Sequence, residues 1–167
     1  MKVLVVSGGI GSGKSTVCRM LENDYGIPVY EADSRVKELY NELPSMLLKI
    51  EQTLGESFRN GEGVFQPSLM AARIFSDTDA LQQVESVVFP VLTDDFARWK
   101  GMHIDREFVA LESATILEKP ALSGLGDVTI VVDAPLELRI ERAAARNGAS
   151  KESVRDRARS QVLMNSI

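Results

Sequence analysis

The chain has 167 residues, 44% hydrophobic and 26% charged, enough for one ordinary domain with a proper buried core and too mixed for a low-complexity protein. Nineteen Lys and Arg against 24 Asp and Glu leave a net charge of -5, which argues against a general nucleic-acid-binding surface and confines any anion site to a local feature. A single cysteine, Cys18, excludes an internal disulfide and suits a reducing compartment, and the N-terminal apolar run is far too short for a signal sequence or a membrane span, so a soluble cytoplasmic protein is expected.

Val3-Leu4-Val5-Val6 reads as a short buried strand, and it runs straight into Ser7-Gly8-Gly9-Ile10-Gly11-Ser12-Gly13-Lys14-Ser15-Thr16. Gly8, Gly13, Lys14 and Ser15 satisfy G-x-x-x-x-G-K-[ST], and Val17, Cys18 and Leu21 open a helical pattern behind it. In such a turn successive backbone N–H groups converge on one point and the helix adds its positive end, so phosphate oxygens are bound by main-chain donors. The candidate phosphate-binding residues are therefore Gly9, Gly11, Ser12, Gly13, Lys14, Ser15 and Thr16, with the Lys14 ammonium reaching outer phosphates and the Ser15 hydroxyl a ligand for Mg²⁺. A turn whose glycines only relieved crowding would need neither the lysine nor the hydroxyl at those offsets. The helix spans about residues 14–23 and ends near Tyr25-Gly26; Ile27-Pro28-Val29-Tyr30 then reads as a second strand. Its end delivers Glu31-Ala32-Asp33 to the side of an open parallel sheet where ligands bind, which makes Asp33 a candidate base for an attacking hydroxyl, or else the cap of a helix starting at Ser34.

Between residues 34 and 100 the apolar spacing is helical, with a turn at Gly61-Glu62-Gly63 and Pro90 expected to kink or end a helix. About seventy residues is far more than the roughly dozen a crossover needs, so the excess predicts either a helical subdomain holding a bulky acceptor or a passive cover. The lone His103 has no partner histidine or cysteine pair and receives no role. Residues 107–112 read as a third strand ending on Glu112, a candidate Mg²⁺ ligand or a plain helix-start acid. Asp127 to Asp133 is a continuous apolar run of the kind found in sheets covered on both faces, with Asp133 expected to cap a helix whose early Pro135 suits a first turn. On that helix Leu136, Ile140, Ala143 and Asn147 share a face, and Arg139, Arg142 and Arg146 form a stripe beside it. Clustered arginines need an anion opposite; Arg142 and Arg146 are assigned to bracing a triphosphate, and Arg139 to a solvated face interleaved with Glu137 and Glu141. Gly148-Ala149-Ser150 breaks the helix before a basic one carrying Arg155, Arg157 and Arg159, so the region reads as a lid hinged at Gly148.

With these residues assembled, the chain resembles dephospho-CoA kinases, P-loop kinases related to the nucleoside monophosphate kinases, over nearly its whole length. The loop Gly8 to Thr16 matches that family's version of the motif, Glu31-Ala32-Asp33 its Asp-Ala-Asp, Val131-Val132-Asp133-Ala134-Pro135 with Leu138, Glu141-Arg142 and Arg146 its strand-and-lid segment, and Arg159-Ser160-Gln161 its arginine and glutamine near the lid's end. The resemblance implies an α/β, three-layer P-loop NTPase fold with parallel strands near 2–7, 28–31, 107–112 and 127–132. It implies a core at 1–33 and 105–135, a helical acceptor-binding insertion at 34–104 and a lid at 136–160. It also implies transfer of the terminal phosphate of ATP, with Mg²⁺, to the ribose 3′-hydroxyl of dephospho-CoA, with Lys14, Asp33 and Arg142 catalytic and Arg146 on the nucleotide. The partner is then a small molecule, with neither nucleic acid nor membrane; the family continues with another strand and helix near the adenine where this sequence stops at Ile167, so either the sequence is cut short or part of the base-binding wall is lacking. The departures, Phe89-Pro90 for His-Pro, Phe65-Gln66-Pro67 for Leu-Asp-Arg and Glu112 to Glu118 for Asp-x-Pro-Leu-Leu-x-Glu, all lie on the acceptor side. They keep open a kinase of another nucleotide or small alcohol, and an ATP-binding paralogue without turnover.

Overall fold

The structure is a computed structural model that describes residues 1–160 except Ser76 and Ser123, together with all side chains in that range but those of Asn147, Arg157 and Ser160. The expected inward face at Asn147, the basic side chain of Arg157 and the Ser160-Gln161 pair therefore lie outside the described residues. Four strands, β1 (Lys2–Ser7), β2 (Val29–Glu31), β3 (Phe108–Glu112) and β4 (Val128–Val131), form one parallel sheet in the order β2-β3-β1-β4. The helices are α1 (Lys14–Tyr25), α2 (Ala32–Glu42), α3 (Pro44–Leu54), α4 (Pro67–Phe75), α5 (Thr78–Gly101), α6 (Leu136–Asn147) and α7 (Lys151–Ser160), with short 3-10 turns at Ile116–Glu118 and Pro120–Leu122. The chain divides into two compact units, one made of Met1–Asp33 and the chain from Phe96 onward, the other of Ser34–Asp95.

In the first unit the side-chain alternation of the central strands decides the layers. Val6 and Ala110 turn to one face and meet Cys18 of α1, with Leu4, Leu21, Val29 and Ile130 packed around them. Val5 and Leu111 are a register pair on the opposite face, where Tyr30 sits beside Leu111 and packs edge-on to Phe96 and Trp99 at the end of α5. Helix on both faces of a parallel sheet is the α/β arrangement expected from the alternation of strands and helices. His103 packs edge-on to Trp99 and is half-buried.

The fourth strand differs from expectation. Its apolar run is a strand, but Val128 and Val131 are 48% and 40% exposed, because β4 lies at the edge of the sheet and has a neighbour among the described residues on β1 alone. Nor does Pro90 end its helix: α5 runs through it. Pro90 and Ser86, whose carbonyl loses its N–H partner, are both exposed, so water can satisfy that carbonyl.

Among its described residues the second unit has helices and turns, with an isolated bridge between Arg59 and Phe65. Leu39, Leu47, Ile50 and Phe58 fill its interior. Asn60 closes the turn through Gly61-Glu62-Gly63, its side-chain oxygen accepting from the backbone of Glu62 and Val64. Arg35 forks between Asp95, Glu42 and Glu38, which holds the start of α2 to the late part of α5.

Asp127 starts the β1–β4 pairing: its carboxylate accepts from the buried Val3 N–H at 2.7 Å while its own N–H donates to the Val3 carbonyl at 2.9 Å. Asp127→Ala leaves a buried donor unsatisfied, and urea denaturation should show a loss of about 1–3 kcal/mol, mostly recovered in Asp127→Asn.

Candidate active site

The site grows from the carboxyl end of β1. Beyond Ser7 the chain enters a glycine-rich loop, and α1 begins at Lys14 with Gly13 as its N-cap and no side-chain cap. The amides of Lys14 and Ser15 at the start of the helix have no intrahelical acceptor by geometry and stand ready for an anion, whereas those of Thr16 and Val17 donate to the Gly13 carbonyl. Two glycines shape the arc. Gly8 and Gly11 have φ of 147° and 73°, and a Cβ on either would collide with backbone, with the Val132 carbonyl at Gly8 and the Arg139 carbonyl at Gly11. The Ser12 N–H donates to the Gly9 carbonyl at 3.1 Å and closes the turn.

Lys14 curls back over this loop. Its ammonium donates to the Gly8 and Gly9 carbonyls at 2.9 and 3.3 Å and lies 3.9 Å from Glu112 Oε1. Parallel register places Glu112, the last residue of β3, beside Val6 on one side and Glu31 on the other. Burial pushes the Glu112 carboxyl up to about 7, the charges of Asp33 and Glu31 add to the shift, and Lys14 and Arg146 oppose it. Lys14 is held below its usual range, also mainly by burial, although Glu112 and Asp33 pull it the other way. Each partner thus loses more hydration than the other returns. An anion at the ammonium and a cation at the carboxylate would redress both.

Asp33 is exposed in the first turn of α2, and its charge is felt at Lys14 and Glu112. The helix begins at Ala32, earlier than the sequence suggested, so Asp33 lies inside it rather than at its cap. Glu112 is not a helix-start acid either: Ser113 and a bend at Ala114-Thr115 follow it. Ser15 and Thr16 are exposed at the start of α1. Arg146 influences both Lys14 and Glu112, whereas no contact among the described residues draws the exposed Arg142 into the cluster. Glu31 joins the cluster without having been singled out; its place two residues before Asp33, at a strand's end, was the available signal.

Two expectations about α6 are corrected. Asp133 does not cap it: Pro135 occupies the N-cap position with no side-chain bond, and Asp133 instead accepts from the adjacent Ala134 N–H at 2.7 Å. Arg139 is not solvated. It is 4% exposed, and its Nε donates to the Ile10 carbonyl at 3.1 Å. At about 100° per residue it lies only about 40° from the buried Ala143, close enough to share the inward face. Beyond Gly148, α7 packs on α6 through Val154 against Ile140 and Ala143, with Glu137–Arg155 and Glu141–Lys151 ion pairs outside. Among the described residues no group of three or more His, Cys, Asp or Glu side chains is arranged to hold a metal ion.

The family model described as dephospho-CoA kinase matches residues 2–166. A dephospho-CoA kinase of Porphyromonas gingivalis is 40% identical over 167 residues, which is 100% of this chain and 81% of that protein. A solved Thermus thermophilus protein aligns with a TM-score of 0.82 at 30% identity, covering 96% of this chain and 80% of its own. The dephospho-CoA kinase from Campylobacter jejuni shares the fold, with a TM-score of 0.61 at 19% identity and coverage of 98% and 81%.

A carboxyl whose folded pKa lies above its ordinary value of 4.5 binds extra protons in the folded state, so Glu112 makes the free protein less stable as pH rises from about 4.5 to about 7, with no further change above. Urea denaturation at roughly pH 5 and 8 should show Glu112→Gln losing about 1–3 kcal/mol less than the parent over that interval. Equal slopes in the two proteins would contradict the assignment.

Proposed function

The chain belongs to the dephospho-CoA kinase family, and on that footing we propose that it transfers the terminal phosphoryl group of ATP to the ribose 3′-hydroxyl of dephospho-CoA, giving coenzyme A and ADP. The observation that carries the reading is the Lys14 ammonium, folded onto the carbonyls of the glycine loop and only 3.9 Å from a buried carboxylate. A polyphosphate entering the loop gives that ammonium a stronger partner than two carbonyls, and the amides of Gly11, Gly13, Lys14 and Ser15 supply the remaining donors.

In this reading the hydroxyl oxygen forms a bond to the terminal phosphorus as the bond to the bridging oxygen of ADP breaks. Asp33 takes the hydroxyl proton, and Lys14 with Arg142 and Arg146 stabilises the charge on the migrating group. Positioning and charge neutralisation provide most of the rate, since little covalent work falls to the protein. The donor set suits magnesium: Ser15 offers a hydroxyl and Glu112 a desolvated carboxylate, and Mg²⁺ is usually held by one or two such groups plus phosphate. When bound, the ion would neutralise phosphate charge. We assign residues 34–95 to the acceptor and the α6–α7 region to a lid. Cys18 is buried, and among the described residues no helix is long and apolar enough to cross a membrane; we place the enzyme in the cytoplasm, acting on a small molecule and not on nucleic acid.

Product analysis with dephospho-CoA and Mg-ATP tests the reading directly: coenzyme A and ADP should appear in equal amounts. The departures at Phe89 and Phe65-Gln66-Pro67 favour one rival, a different alcohol acceptor, which ADP release without coenzyme A across an acceptor panel would reveal. Lys14→Ala should lower kcat/KM at least about a hundredfold, and Asp33→Asn should lower kcat by about 10²–10⁴ with ATP affinity kept within about twofold. Near-normal turnover of the Asp33→Asn variant would remove the base.

A further inference from the structure

Arg139 is 4% exposed and carries a cationic guanidinium, yet among the described residues it has no carboxylate partner. Its bond is from Nε to the Ile10 carbonyl at 3.1 Å, and its Nη2 is buried without an acceptor. A buried, unneutralised charge is costly, and a fold tolerates one where something repays it. What surrounds this one is the back of the phosphate loop. A Cβ on Gly9 would strike the guanidinium, and a Cβ on Gly11 would strike the Arg139 backbone, so both residues touch α6 through bare Cα atoms. Between them, Ile10 packs into the apolar cluster of Ile140, Ala143 and Val154. Nearby, the Ser12 hydroxyl is a second buried polar group without a partner. Two unpaired polar groups in and behind one loop mark a place built for a ligand that supplies negative charge.

We propose that Arg139 is a positioning residue of the nucleotide site: it holds the Gly9–Gly11 arc open through the Ile10 carbonyl, and its unneutralised charge behind the loop strengthens the grip on a polyphosphate. The inference rests on the ATP reading and adds to it a residue that touches the loop rather than the substrate. Hydrogen bond and charge act together. Without the bond the arc loses the shape that aims its amides, and without the charge the arc stays in place but binds the anion less tightly.

Titration calorimetry with ATP and with inorganic tripolyphosphate, which has no base or ribose, separates this role from a merely structural one. Arg139→Met keeps the length and apolar stem; it should weaken both ligands about tenfold and raise KM for ATP similarly, with KM for dephospho-CoA within about twofold. Arg139→Gln can still donate to the Ile10 carbonyl but carries no charge, and it should lose most of the same affinity. Arg139→Lys restores the charge and should recover part of it. Should the Met variant fail to fold, the Gln and Lys pair decides: tripolyphosphate affinity equal in Gln, Lys and parent overturns the inference, as does parental affinity in the Met variant. A parent protein that bound neither ATP nor tripolyphosphate would remove the ATP reading itself and this inference with it, a result distinct from a parent that binds and variants that match it.

Discussion

A half-buried lysine and a buried glutamate that fail to satisfy each other set the terms for the rest of the structure. Lys14 and Glu112 lie 3.9 Å apart with side chains 11% and 12% exposed, and burial is the leading influence on both. An ion pair removed from water breaks even only with good geometry and further hydrogen bonds, and this one is too long to provide the first. Lys14 finds its hydrogen bonds in the Gly8 and Gly9 carbonyls; Glu112 is left with acidic neighbours in Glu31 and Asp33. The arrangement makes physical sense as half of a larger charge balance, the other half arriving with a phosphorylated ligand.

The strand order makes this balance possible. Because β1 lies between β3 and β4, the loop leaving its end has Glu112 on one flank and the Val132 carbonyl on the other. On the β3 side, β2 adds Glu31 in register with Glu112 and leads into Asp33. Ligands of open parallel sheets bind beyond the strands' carboxyl ends, and here the acids, the lysine and the loop amides all stand at that end. They come from the ends of three strands, β1, β2 and β3, so the geometry is a property of the sheet and not of any one segment.

Those facts also explain what could be read from the residues alone. The loop was legible because its chemistry is local: glycines, lysine and hydroxyl within eight positions impose one backbone path. The parallel sheet was legible from apolar runs separated by helical spacing. Strand order is not a local property. Nothing in Val128 to Val131 marks an edge strand, since the same residues would suit a central one, and their exposure follows only from the order β2-β3-β1-β4. Of the two outcomes the residues offered at Pro90, a kinked or an ended helix, the ending does not occur, because at an exposed position water takes over the lost partner. Asp33 was placed at the correct strand's end but as the helix cap instead of its second residue, a two-position error of the kind usual at an element boundary.

The arginines of α6 show the same limit at the level of single residues. Charge and spacing put Arg139, Arg142 and Arg146 in one stripe, and that stripe is about 60° wide, broad enough to straddle the border between a buried and an exposed face. Arg142 and Arg146 are exposed and Arg139 is not, so one pattern of like charges divides into two kinds of group. The dividing factor is what faces the helix: the glycine loop presents bare Cα atoms and the Ile10 carbonyl just where Arg139 emerges, and any loop with side chains at Gly9 or Gly11 would have expelled it. Glycines usually credited with admitting phosphate at the front of such a loop therefore also admit a cation at its back. The motif and the arginine, 129 positions apart in the chain at their point of contact, are parts of one packing solution.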